Sequence, residues 1–322
     1  MNANHQSEFE SMSARRRDCA RAFTLTELLV VLATLGILAV VLLPALAGNQ
    51  PGSSRAFQCL NNMRQLGLAD SLYANDNHDK LASNCDKSPP SGGENNLRNW
   101  ICPAGISLDW SAGSYNTNTL FLTINDPIRG TALIGPYVAN TVNIFVCPAD
   151  KYLSKFQQGF AAAGWTHRLR SCAMNGAMGD GVKYFGFNDV TGAPNPGHST
   201  MPTFYTAKKI TSMHSPGPSN CWLIMDEHPD SNDDAILYVD PAAASGIGTI
   251  FTELPGSMHN NAAGMVFADG HSEAHVWNGR ITTQPVTLGV KSGGGYLQGV
   301  NVSTDPASQR DLTWLAQHTP AN

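Results

Sequence analysis

The sequence predicts an α+β fold in which one long N-terminal helix packs on an antiparallel β-sheet with large loop insertions. Three observations lead there. Leu28–Ala47 is an unbroken apolar run, residues 57–75 carry helical spacing, and from about residue 81 short strand-like runs alternate with Gly- and Pro-rich stretches.

Composition narrows the function classes. The chain has 322 residues with 30 Gly and 19 Pro, and only 14% are charged, against roughly a quarter in an ordinary globular protein. A chain of this length buries a core without covalent staples. The formal charge of −5 excludes nucleic acid as a partner, because phosphate binding needs a basic surface.

Residues 1–22 are polar and contain Arg15, Arg16, Arg17 and Arg21. Leu28–Ala47 follows, and roughly 20 apolar residues at ~1.5 Å rise match a ~30 Å hydrocarbon core. An ordinary secretory signal has a shorter apolar core and a small-residue cleavage site after it, so this segment is expected to stay in the protein. The arginines before the run, against an almost uncharged far flank, predict a cytoplasmic N-terminus and a body outside. Residues 1–22 are thus expected to form a leader, and 23–50 a membrane-spanning helix.

Glu27 stands beside the apolar run, where a carboxylate is costly unless paired. The surrounding Ala22-Phe23-Thr24-Leu25-Thr26-Glu27-Leu28 resembles the type IV prepilin processing site. That resemblance implies cleavage by a prepilin peptidase between Ala22 and Phe23, N-methylation of Phe23, and a filament-assembly role for Glu27 at the fifth mature position. Pro44 falls at the twenty-second, where such proteins carry a helix-kinking proline. The family usually has Gly before the cut, and Ala22 departs from it. In the implied filament, Glu27 would neutralise the new amine of a neighbouring subunit and fix the axial register.

Within 51–80, expected as a membrane-distal helix, Met63, Leu66, Ala69 and Tyr73 form one stripe, and Pro51-Gly52 predicts a break before it. The remaining span, 81–322, is expected to be a β-rich globular domain. Its strand candidates are Ala132–Tyr137, Asn143–Val146, Trp222–Met225, Ala235–Val239 and Gly264–Ala268. Around Asp269-Gly270 a two-residue hairpin turn is expected, pairing Ala268 with His271 and Val266 with Glu273. Met265 and Phe267 would then face the core.

His259, nine residues and then Asp269-Gly270 is similar to the prepilin-processing-associated domain named for that pattern. Cys59-Leu-Asn-Asn-Met-Arg-Gln-Leu-Gly, Val146-Cys147-Pro148-Ala149-Asp150, Asp226-Glu227-His228-Pro229-Asp230 and Asp311-Leu-Thr-Trp314-Leu resemble the same family. The likeness implies a structural pilin-like or pseudopilin subunit of a type II secretion or type IV pilus-like filament. Its partners would be the prepilin peptidase, other pilin-type subunits and the bacterial inner membrane.

Two groups read as cation candidates. Asp226, Glu227, Asp230, Asp233 and Asp234, with His228 and Asn232, form an oxygen-rich loop of the kind that suits Ca2+, or else a solvated acidic turn. His259, His271, Glu273 and His275 offer transition-metal donors, or else line a polar sheet face. None of the seven cysteines forms a CxxC pair. Removal of the leader leaves Cys59, Cys85, Cys102, Cys147, Cys172 and Cys221, an even number that predicts at least one disulfide outside the cytoplasm, with buried thiols as the other reading. No GxSxG, HExxH, P-loop or dinucleotide fingerprint occurs, so no enzyme is expected. The alternative to a filament subunit is a membrane-anchored module whose six tryptophans stack on a glycan.

Overall fold

The computed structural model describes residues 24–35, 51–84, 98–102, 108–126, 130–139, 141–179, 207–287 and 297–320. The chain divides into two units, residues 1–50 and 51–322.

In the first unit, residues 25–35 form helix α1. Thr24 and Glu27 start it with a reciprocal capping box. The Glu27 N–H donates to Thr24 Oγ1 at 3.2 Å, and the Thr24 N–H donates to the Glu27 carboxylate at 2.9 Å. Ala22, Phe23 and Pro44 lie outside the described residues.

The second unit is built on helix α2 (Pro51–Asp76) and a five-stranded sheet, and it also carries the short helix α3 (Gln158–Ala162). The sheet comprises β4 (Cys172–Asn175), β5 (Trp222–Asp226), β6 (Ile236–Leu237), β8 (Ala262–Phe267) and β9 (Ser272–Val276), in the order β6-β4-β5-β8-β9. Strands β1 (Arg98–Asn99), β2 (Asn125–Asp126) and β3 (Gly130–Ala132) form a second sheet, and β7 (Ile250–Glu253) pairs with β10 (Gln298–Asn301) in a third.

This architecture corrects the expected fold class. The protein is mixed α/β with several sheets, and β4–β6 and β1–β3 are parallel pairs. Among the described residues, the expected long apolar N-terminal helix on one antiparallel sheet is not present. Among the described residues no helix is long and apolar enough to cross a membrane. The helix that lies on the sheet is instead α2, which starts at Pro51, where a residue without an N–H fits the first turn but not a helix interior. Parallel pairing was hidden because alternating runs report strands, not their partners. Two of the expected strands are 3₁₀ turns, Gly135–Val138 and Val142–Phe145. Trp222–Met225, Ala235–Val239 and Gly264–Ala268 do overlap β5, β6 and β8.

The expected stripe of α2 is buried in full: Met63, Leu66, Ala69 and Tyr73 all pack in one core with Ile224 and Val266. Contact this close requires glycine on both sides. A Cβ on Gly67 would stand 2.5 Å from Val266 Cγ2, and one on Gly264 would stand 2.8 Å from Cys59 Sγ. The opposite face of the sheet, through Trp222, Met225, Met265 and Phe267, packs on helix α4 (Pro306–Gln317) by way of Leu312 and Leu315. Asp305 caps α4 by accepting from the Ala307 N–H, with Pro306 in the first turn. Strands β5 and β8 are therefore buried on both faces, and both Val266 and Met265 are core residues.

The β8–β9 hairpin differs from the expected one by one residue. Val266 pairs with Ser272 and Met265 with Glu273. The Phe267 N–H donates to the His271 carbonyl, leaving a three-residue loop, Ala268-Asp269-Gly270. Gly270 sits at φ +90°, the left-handed position that closes such loops. None of Cys59, Cys102, Cys147, Cys172 and Cys221 is in a disulfide, against the expectation, while Cys85 lies outside the described residues.

Asp70 on α2 is buried, accepts the Ala82 N–H at 3.4 Å, and burial raises its carboxyl to about 7. The folded state therefore holds a proton that the unfolded chain releases near its ordinary value, so this group's contribution falls as pH rises from about 4 through 7. In Asp70→Asn that penalty is gone. The melting temperature of the variant, relative to the parent, should climb between about pH 4 and 7 in parallel thermal melts. A flat difference would count against a proton on Asp70.

Candidate functional site

Four side chains from four separate segments meet between α2 and the sheet. Cys59 lies one helical turn before Met63 on the buried face of α2, so the helix aims its sulfur at β8. Asp226 ends β5, the strand beside β8. Cys147 follows the 3₁₀ turn Val142–Phe145, with its N–H donating to Ser171 Oγ at 2.5 Å. His259 opens a tight turn into β8, with Asn260 and Asn261 at φ +55° and +65°. Asparagine tolerates this left-handed conformation better than most residues.

The geometry is close. Cys59 Sγ donates to Asp226 Oδ2 at 3.0 Å, and Cys147 Sγ lies 3.0 Å from His259 Nε2. Asp226 Oδ2 lies 3.8 Å from the same His259 nitrogen and also accepts the Gly264 N–H at 2.9 Å. One donor atom from each of the four residues lies within 4.8 Å of every other. The hydrogen bond to Cys147, together with burial, holds the Cys59 thiol well above its usual range. For Cys147 the bond with Cys59 pulls downward, but burial and the Asp226 charge leave the thiol raised. Burial pushes Asp226 up to about 7 and His259 down. A catalytic Cys–His–Asp relay needs the carboxylate on the imidazole nitrogen that the thiol does not use. Here both approach Nε2, which suits convergence on a point rather than a relay.

Beside this cluster lie two buried ion pairs. Arg170 donates to Glu227 at 2.6 Å with both side chains fully buried, and its other Nη donates to Asn232 at 2.6 Å. Arg168 donates to Asp150 at 2.8 Å and to the Pro229 carbonyl at 3.0 Å. These bonds link Val146–Asp150 and Asp226–Pro229, two stretches that read as separate motifs in the sequence.

The oxygen-rich loop is dispersed by its partners. Asp226 turns to Cys59, Glu227 to Arg170, and Asp230 accepts from Thr287 Oγ1 at 2.8 Å. Asp233 and Asp234 come together instead with Glu253, whose carboxyl is held well above the carboxylate range by burial and by both aspartates. The histidine group is likewise separated. His259 joins the cysteines, His271 bonds Asp269 at 2.6 Å, and His275 stacks on Trp314, while Glu273 is exposed. Asp269 and Gly270 therefore build the turn at one end of β8, and His259 serves the cluster at the other. Sequence reasoning missed Cys59, Cys147, Arg168 and Arg170 as site residues. Cys59 and Cys147 stand inside the family-like stretches Cys59–Gly67 and Val146–Asp150, and Arg168-Leu169-Arg170 alternates as a strand approach does.

Comparison with protein-family models, with curated proteins and with solved structures finds no match to this chain.

Glu227→Leu would strand the Arg170 charge in the interior and should lower unfolding free energy by ~3–5 kcal/mol in denaturant titration. Arg170→Met combined with Glu227→Leu removes both charges and should recover most of that loss. A single variant as stable as the parent would show that the pair is not buried.

Proposed function

We propose that this chain is a structural, non-enzymatic subunit, cut by a prepilin peptidase between Ala22 and Phe23. In this reading its apolar N-terminal segment assembles with other pilin-type subunits at the inner membrane, while residues 51–322 form an extracytoplasmic body. The observation that carries the reading is the exposure of α1. Every residue from Thr24 to Leu35 is exposed, with Leu25 at 76% and Val30 at 62%. Apolar surface gains ~25 cal/mol per Å2 on leaving water, so a helix with this much exposed apolar surface calls for lipid or neighbouring subunits.

The anchored glycan-binding alternative receives little support from the tryptophans. Trp100, Trp222 and Trp277 are fully buried. Trp314 is stacked against His275 at 3.5 Å and against His318 at 4.0 Å between centroids, so two rings already occupy it.

The capping box sharpens the test of Glu27. Glutamine at this position keeps the box but carries no charge to offer a neighbour's amine. In the native host the mature protein should begin at N-methylated Phe23 by mass spectrometry. Glu27→Gln and Glu27→Leu should both be processed normally, yet sediment with sheared filaments or the secretion complex at least about tenfold less than the parent, a loss of ~1.4 kcal/mol or more. Normal assembly of Glu27→Gln would reduce Glu27 to a helix cap, and an unprocessed Met1 terminus would end the reading altogether.

A further inference from the structure

We propose that Cys59, Cys147, Asp226 and His259 bind one transition-metal ion of the Zn2+ type in a closed, structural centre. Two thiolates, an imidazole and a carboxylate are the donors that select such a cation. Ca2+ and Mg2+ take oxygen alone. Four donors suffice for a tetrahedral structural site without an open position.

The spacing fits before any ion is considered. Bond lengths of ~2.0–2.3 Å in a tetrahedron place donor atoms about 3.3–3.8 Å apart. The three measured separations are 3.0, 3.0 and 3.8 Å, and the full set lies within 4.8 Å. The two shorter ones need to open by only about half an ångström. Room for the cluster is set by Gly264, since a Cβ there would stand 2.8 Å from Cys59 Sγ and 3.2 Å from Asp226 Oδ2.

Two observations separate a metal centre from a polar core. Asp226 is fully buried, and its Oδ1 has no hydrogen-bond partner. A buried carboxylate left with one unpartnered oxygen carries a desolvation cost, which a cation held at Oδ2, the oxygen that faces the cluster, offsets. In addition, Cys147 and Asp226 approach a single nitrogen, His259 Nε2, which has one proton or one lone pair to share. A cation at the common point satisfies both. A Cys59–Cys147 disulfide would leave Asp226 and His259 buried without purpose, whereas a metal uses all four groups. Binding displaces the two thiol protons and any carboxyl proton to solvent, so affinity rises with pH.

The test uses the full chain in detergent, isolated under reducing, metal-replete conditions. Native mass spectrometry should show about one Zn2+ per chain. Replacement by Co2+ should give thiolate charge-transfer absorption and the strong visible bands of tetrahedral cobalt, a measurement on the parent that needs no folded variant. Chelation of the parent should lower its melting temperature. Cys147→Ser and His259→Gln should each lose at least about tenfold in Zn2+ affinity, in line with perturbation of a ligand shell. The proposal is overturned by a parent chain that binds no metal, by a cobalt spectrum without thiolate bands, or by undiminished binding in both variants. A Cys59–Cys147 disulfide in protein trapped with a thiol-blocking reagent in the native host would also overturn it.

Discussion

The contact between α2 and β8 sets the terms for the rest of the body. Gly67 and Gly264 let the helix approach until Val266 and Cys59 touch the opposing backbone. At that distance the strand has no side toward water, because α4 covers its other face. Strands buried on both faces read as continuous apolar runs rather than alternating ones, and β5 and β8 do so. The neighbours of these strands must then provide all the polar chemistry, which explains its concentration at the ends of β5 and β8.

The polar groups there are deeply placed. Arg170 and Glu227 neutralise each other beneath Asn232, and Arg168 does the same for Asp150. Charges out of contact with water carry a desolvation cost that mutual attraction only roughly balances. Such pairs therefore add less to stability than to geometry: they accept one arrangement of their chain segments and penalise others. Two loops that would otherwise be independent are held in one alignment by the Arg168 guanidinium, which bonds both Asp150 and the Pro229 carbonyl.

How much of this was legible depended on distance along the chain. The α2 stripe was readable from Met63, Leu66, Ala69 and Tyr73, because helical periodicity is local. The Asp269-Gly270 turn was readable for the same reason, but its loop length was not. Asp-Gly serves two-residue and three-residue loops alike, and only the left-handed Gly270 with the His271 carbonyl bond decides between them. The meeting of Cys147 with His259 spans 112 residues and that of Cys59 with Asp226 spans 167, so no local pattern could display either. Arg168 and Arg170 escaped notice because arginine is almost always exposed. In the acidic loop the limit is of a different kind: composition counts oxygens but does not say where each one points.

The separation of α2 from β8 along the chain has a consequence for biogenesis. The stripe that ends in Tyr73 gains its strand partners only once Trp222–Asp226 and Ala262–Phe267 have emerged. At synthesis rates of ~5–20 residues per second that delay is on the order of ten seconds or more, far longer than the ~1 μs in which a helix forms. An already formed, apolar-striped helix would wait through this interval without its sheet. Its apolar stripe would stay uncovered by the sheet through this interval, and the rate-limiting encounter in folding would be a long-range one.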